Sequence, residues 1–186
     1  GYWVIDDCGG SANRFITLLS YLHIVFQPFF INAFAMQLIP IAVQQKVKRP
    51  VYLACGVSSV VMLMQLYPFS WAGTCEVGQA LCDSPLCLVS GEWHLAWNIP
   101  YNNLLGSLDD LLGTHLSFPT YLLTVFLMPI AYGAWRFVLF HAFAGPVLAL
   151  QLTANPNEWP AVWCLFSIGI LLIGTSPWVR RGFGIS

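Results

Sequence analysis

The sequence predicts an all-α, polytopic membrane protein. It reads as a single bundle of five transmembrane helices, with a short amphipathic helix lying at the interface within one long outer loop. Three observations predict this. Of 186 residues, 58% are hydrophobic and only 8% are charged, with a mean hydropathy of +0.70, far from the balance of soluble domains. Apolar runs of about 20 residues, the length that crosses roughly 30 Å of hydrocarbon, recur along the chain. Eight Trp and thirteen Phe supply the rings that gather at membrane interfaces.

The first span covers 15–39 and the second 51–71, divided by the polar stretch Gln44-Gln45-Lys46-Val47-Lys48-Arg49-Pro50. An outer loop over 72–118 follows, free of Lys and Arg. Within it Leu104, Leu105, Leu108, Leu111 and Leu112 recur at helical spacing with Asp109 and Asp110 turned away, the pattern of a helix lying on the interface or packed against the bundle. The third and fourth spans, 119–135 and 137–153, meet at Gly133-Ala134-Trp135-Arg136. Merging them would bury Arg136 near the middle of the bilayer, at a cost of about 2.5 kcal/mol or more. The fifth span, 159–178, begins after Asn155-Pro156-Asn157-Glu158 and ends before Arg180 and Arg181. No internal repeat divides the chain, so 1–186 is one domain.

Loops on the cytoplasmic side collect Lys and Arg. Five spans place Lys46, Lys48, Arg49, Arg136, Arg180 and Arg181 on one side. Asp6, Asp7, Glu76, Asp83, Glu92, Asp109, Asp110 and Glu158 fall opposite, accompanied only by Arg14. The expected orientation puts the start of the chain and the 72–118 loop in the periplasm and the C-terminus in the cytoplasm, across a bacterial inner membrane. The chain opens on Gly1 and an apolar segment instead of a signal peptide, so its natural N-terminus is expected upstream. A net charge of −1 without clustered cations excludes nucleic acid as a partner. The expected partners are the lipid bilayer, bound lipid and other membrane-protein subunits. No cofactor is required by the sequence.

Cys8, Cys75, Cys82 and Cys87 fall on the outer, oxidising side and are expected to form disulfides. Four Cys allow three connectivities, which sequence does not separate. Their spacings do not match usual zinc-ligand patterns, so no metal site is expected. Cys55 and Cys164 lie in spans and read as small apolar side chains.

The first span carries Ser20, His23, Gln27, Asn32 and Gln37, an unusual polar load for a segment that must satisfy its hydrogen bonds without water. Ser20, His23 and Gln27 share one stripe at helical spacing, and Pro28 should bend the helix beside them. Such a set could line a path or a ligand site; it could equally bond neighbouring helices. His23 and His141 are the candidate imidazole ligands for a metal, haem or pigment, although they are expected at different depths. On the outer surface, Ser90-Gly91-Glu92-Trp93-His94 and Asn155-Pro156-Asn157-Glu158-Trp159-Pro160 each join a carboxylate to a Trp. Glu92, His94 and Glu158 are therefore candidate acid-base residues, with interfacial anchoring and a helix-dipole contact as the plainer roles. There is no His-Glu-x-x-His, Gly-x-Ser-x-Gly, phosphate-binding glycine loop or Cys-x-x-Cys.

Several runs together resemble a known family. These are Tyr21-Leu22-His23-Ile24, Gln27-Pro28-Phe29-Phe30-Ile31-Asn32-Ala33-Phe34, Gln65-Leu66-Tyr67-Pro68, Ser90-Gly91-Glu92-Trp93-His94 and Asn155-Pro156-Asn157-Glu158-Trp159-Pro160-Ala161-Val162-Trp163-Cys164. The chain resembles an uncharacterised, domain-of-unknown-function family of bacterial multi-span membrane proteins over nearly its whole length. The resemblance implies about seven helices in full-length members, two of them ahead of this chain's first residue, and implies no activity. Three functions fit. The first is a non-catalytic accessory or structural subunit of a larger membrane complex, such as an energy-transducing one. The second is a transporter or small-ligand receptor using the polar residues of the first span. The third is a membrane enzyme with an outer Glu/His site.

Overall fold

The computed structural model describes residues 3–106, 110, 111, 113 and 118–167. Five helices among them form a bundle, and three are long and apolar enough to cross a membrane: Ser11–Met36, Ile41–Gln65 and Trp135–Leu152. We label these α1, α2 and α4. The shorter α3, Pro119–Ala131, precedes α4, and α5 is described over Trp159–Ser167.

Helices α1 and α2 pack antiparallel, and hydrogen bonds mark their register. The Tyr21 hydroxyl donates to the Met62 carbonyl at 2.8 Å, and the Ser59 hydroxyl donates to the Val25 carbonyl at 2.7 Å. Phe29 stacks on Tyr52 one turn further along. Helix α2 begins at Ile41 and already includes the polar stretch expected to be a loop. Gln, Lys and Arg favour helix, and Lys46, Lys48 and Arg49 stay exposed on this extension. Pro50 removes one ladder bond where solvent can satisfy the stranded carbonyl.

Helices α3 and α4 are separate, joined by a tight reversal. Gly133 takes φ +100°, a region open to glycine, while its N–H donates to the Ile130 carbonyl at 3.0 Å and that of Ala134 to the Pro129 carbonyl at 2.8 Å. This pair of bonds is a Schellman motif, which closes the end of α3 and reverses the chain. Each of the two helices contains a wide-turn π segment, Leu123–Leu127 and Phe143–Val147, beside or around a proline. Helix α5 packs against the second of these, where a Cβ on Gly145 would overlap the Trp163 indole.

The all-α expectation is corrected by a two-stranded antiparallel hairpin in the outer loop, β1 Cys87–Ser90 and β2 Leu95–Asn98. The free edge of β1 is covered by the N-terminal segment. The Asp6 N–H donates to the Leu88 carbonyl at 3.0 Å, and the buried Asn13 side chain both donates to that carbonyl and accepts from the Leu88 N–H, each at 2.8 Å. An otherwise open strand edge is thereby paired. The Asn102 amide caps the end of α2, donating to the Met64 carbonyl at 2.9 Å and the Tyr67 carbonyl at 2.6 Å. Helix α2 accordingly stops at Gln65, short of the expected 71. The expected interfacial helix falls partly on residues outside those described: Leu108, Asp109 and Leu112 are among them, as are the end of the fifth span, Arg180 and Arg181.

Two disulfides staple this outer layer, Cys8–Cys87 and Cys75–Cys82, settling the connectivity that spacing left open. The carboxylates of Asp6, Glu92 and Glu158 lie at this end of the bundle, while Lys48, Arg49 and Arg136 lie where α2 and α4 begin, at the opposite end. Cross-linking a long loop removes more unfolded-chain entropy than cross-linking a short one. Replacing Cys8 and Cys87 by Ser, which opens a sequence separation of 79, should cost about 4.5 kcal/mol, against about 2.5 kcal/mol for Cys75 and Cys82, separated by 7. Thermal unfolding of the two double variants in detergent checks the order.

Candidate functional site

The two outer motifs meet around Glu158. Residues Gly91 to His94 form the tip of the hairpin, closed by the Gly91 N–H donating to the His94 carbonyl at 2.8 Å. This turn aims three successive N–H groups inward at one carboxylate. Glu158 accepts from the Glu92 N–H at 2.9 Å, the Trp93 N–H at 2.8 Å and the His94 N–H. The Thr153 hydroxyl adds a fourth bond at 2.7 Å. A concavity of backbone N–H groups is an anion site, and here a side chain of the same protein fills it. Gly91 is required for the approach, because a Cβ there would lie 2.5 Å from the Glu158 carboxyl carbon.

The segment before α5 is locked in the same way. The Asn155 side chain accepts from the Asn157 N–H at 3.0 Å, the Asn157 carbonyl accepts from the Trp97 N–H at 3.0 Å, and the Trp159 indole donates to the Thr153 carbonyl at 3.0 Å. Glu158 is fully buried. Burial by itself raises a carboxyl pKa, but the hydrogen bonds from Thr153, His94, Trp93 and Glu92 outweigh it and hold Glu158 below the ordinary carboxylate range. Glu92, by contrast, is exposed. Its carboxylate accepts from the Ala154 N–H at 3.2 Å and lies 3.3 Å from the same Thr153 hydroxyl. The candidate residues therefore do converge, yet His94 reaches Glu158 through its backbone N–H. The arrangement joins the hairpin to the foot of α5; it leaves Glu158 no free face for a substrate.

Asp6 plays a lesser part on the far side of the hairpin. Bonds from the Ser90 hydroxyl at 2.6 Å and the Ser90 N–H at 2.8 Å lower its pKa.

The polar residues of α1 separate into three environments. Asn32 is fully buried, and its amide nitrogen donates to the Pro28 carbonyl at 2.8 Å and the Thr124 carbonyl at 2.9 Å. The Thr124 carbonyl is available because the ladder partner five residues on in the π segment, Pro129, has no N–H. The Asn32 oxygen accepts from the Tyr132 hydroxyl at 2.9 Å, so one side chain ties α1 to both the middle and the end of α3. Gln27 is buried and accepts from the Tyr121 hydroxyl at 2.7 Å. Ser20 is half-buried and bonds back to the Ile16 carbonyl at 3.0 Å. His23 is exposed, on the opposite side of the helix from Asn32 and beside Gln27 at the edge of the buried face, and has no hydrogen-bond partner among the described residues. The expected stripe of Ser20, His23 and Gln27 thus lines no common path.

His141 is buried among rings, stacked on Phe137 at 5.5 Å and on Phe126 at 5.4 Å, with Trp163 tilted against it at 5.3 Å. Its Nε2 and the Trp163 indole nitrogen have no partner among the described residues. Since His23 faces outward and His141 faces this aromatic cluster, the two do not bracket one cofactor. Among the described residues no group of three or more His, Cys, Asp or Glu is placed to hold a metal ion.

Sequence reasoning missed Asn13, Gly91, Tyr121, Tyr132 and Thr153. Of these only Gly91 carried a local signal, a glycine inside a polar turn.

Three helices long and apolar enough to cross a membrane, internal side-chain ties and a disulfide-stapled cap define the general class, a mostly helical bundle with apolar outer faces. Residues 1–184 match the family described as a family of unknown function, DUF5765, and the chain belongs to that family. No curated protein and no solved structure matches it.

A group whose pKa is depressed in the folded state contributes stability above its unfolded value, here about 4.5, and that contribution is lost as pH falls through the lower folded value. Glu158→Gln replaces an acceptor-only carboxylate with an amide whose nitrogen would face N–H donors. It should lower stability by about 3 kcal/mol at neutral pH, as expected for lost bonds to a buried charge, and should flatten the acid dependence below pH 4.5. Hydrogen exchange at the amides of residues 92–94, followed against pH, checks both.

Proposed function

We propose that this protein is a non-catalytic subunit of a larger membrane assembly, docked to a partner helix through the outward face of α1. Five crossings orient it with the disulfide-bonded cap in the periplasm and the basic ends of α2 and α4 in the cytoplasm of a bacterial inner membrane. The segregation of acids and cations between the two ends supports that orientation, since basic loops stay inside. Helix α3 is short for a full crossing, but its outer end meets the cap, where Phe118 packs on Tyr101, instead of lipid headgroups.

The single observation that carries the subunit reading is His23. It sits halfway along α1, in an exposed stripe made otherwise of Phe15, Leu19, Phe26 and Phe30. These positions recur three or four apart, so they share one face. Hydrocarbon offers an imidazole neither donor nor acceptor, and ionisable side chains at this depth ordinarily face protein or a water-filled cavity. A partner helix presenting a hydrogen-bonding side chain resolves the conflict. The inward polar residues favour the same reading over a transporter, because Asn32 and Gln27 are spent on ties between helices. The committed Glu158 favours it over an outer-face enzyme.

A photoreactive amino acid at Phe26 or Phe30, incorporated in cells, should cross-link to another polypeptide in native membranes. His23→Leu should reduce that product several-fold while leaving the thermal stability of the isolated protein unchanged. Cross-links to lipid alone, or a yield indifferent to His23→Leu, would contradict the proposal.

A further inference from the structure

Between Val51 and Gln65 the side chains that α2 leaves exposed are Leu53, Val57, Val60 and Met64, all apolar. They recur three or four residues apart and so form one stripe along the outward side of the helix. From Leu53 to Met64 the stripe rises about 17 Å, close to one leaflet of a bilayer whose hydrocarbon is roughly 30 Å thick. No polar side chain interrupts it, in contrast to the outward stripe of α1 with its His23. One and two turns before Leu53, however, the same stripe carries Arg49 and Lys46, both exposed. At about 100° per residue these six positions fall within an arc of about 80°. Lys48 lies on the other face, in line with the buried Cys55 and Met62.

Among the described residues Arg49 and Lys46 make no ion pair. No Asp or Glu occurs from Cys8 to Cys75 or from Phe118 to Asn157, so helices α1 to α4 carry no acid at all. The counter-charge for this end of α2 therefore comes from outside the chain. Two cations at the foot of an apolar stripe of leaflet depth match an anionic phospholipid, which presents its phosphate and its acyl chain in the same order along the membrane normal. Arg can grip a phosphate through parallel N–H bonds, and Lys adds a mobile point charge beside it.

We infer that the outward face of α2 holds an anionic phospholipid, its phosphate between Arg49 and Lys46 and an acyl chain along Leu53, Val57, Val60 and Met64. The site rests on the membrane-spanning reading above but is independent of the docking of α1.

Native mass spectrometry of the purified, delipidated chain in detergent reads bound lipid directly. Titrated separately with phosphatidylglycerol and with phosphatidylcholine of the same acyl chains, the protein should take up phosphatidylglycerol at a several-fold lower concentration. Arg49→Gln and Lys46→Gln, at exposed positions on the helix, should each weaken that preference and together abolish it. Lys48→Gln, which removes the same charge from the other face, should leave it in place, as should His23→Leu on α1. Glycerophosphoglycerol, the headgroup without its chains, should not displace the lipid even in large excess. Equal uptake of the two lipids, a loss as large with Lys48→Gln as with Arg49→Gln, or displacement by the free headgroup would overturn the inference and leave the membrane reading standing. Uptake of neither lipid would overturn both.

Discussion

Inside an apolar bundle a polar group has no water to fall back on, and the arrangement of this protein follows from how that constraint is met. Pro28 removes an N–H from the middle of α1 and Pro129 one from the last turn of α3, where a π segment shifts the ladder just ahead of it. The Thr124 carbonyl, left open beside Pro129, takes a side-chain donor, and so do the carbonyls of Pro28, Val25 and Met62. Asn32 supplies both amide hydrogens to carbonyls of α1 and α3 and takes the Tyr132 hydroxyl in return. Tyr21 and Ser59 do the same between α1 and α2. Each bond is modest, about 0.6 kcal/mol on average in a membrane protein, but each is also directional. Together they fix rotation and depth, which apolar contact alone leaves loose.

The cap solves the same problem with a charge. A buried carboxylate is costly unless its lone pairs are filled, and the hairpin tip fills those of Glu158 with three backbone donors while Thr153 contributes a fourth. This explains why the Ser90-Gly91-Glu92-Trp93-His94 and Asn155-Pro156-Asn157-Glu158-Trp159 motifs belong together. One supplies the anion and the other its socket. The Cys8–Cys87 bridge and the Asn13 contacts then hold the opposite edge of the hairpin to the start of α1. The first and last described helices are therefore joined through four residues of strand. The surface so fixed that the proposed partner would meet is the outward face of α1.

The helices were largely legible in the sequence because hydropathy over a long window integrates many residues. The hairpin was not, since strands as short as Cys87–Ser90 and Leu95–Asn98 give too few positions for alternation to register. The start of α2 was misplaced for a related reason: charge marks the edge of a membrane, and a helix can continue past it. Periodicity placed Ser20, His23 and Gln27 near one another on α1, but it could not say where the boundary between inside and outside would fall. That boundary runs between His23 and Gln27. The site around Glu158 was half legible. Its two motifs stood out by composition, whereas their meeting depends on contacts across more than sixty residues of sequence, as in the Glu92–Glu158 bond at a separation of 66.

The exposed imidazole of His23 is the point where the constraint is not met within this chain, and it tests the account most directly. A density map of the protein extracted with its surrounding membrane in a polymer-bounded disc would show what lies against Phe15, Leu19, His23, Phe26 and Phe30. The account predicts a helix from another polypeptide with a side chain within hydrogen-bond distance of His23. An unbroken row of lipid chains along that face would contradict it.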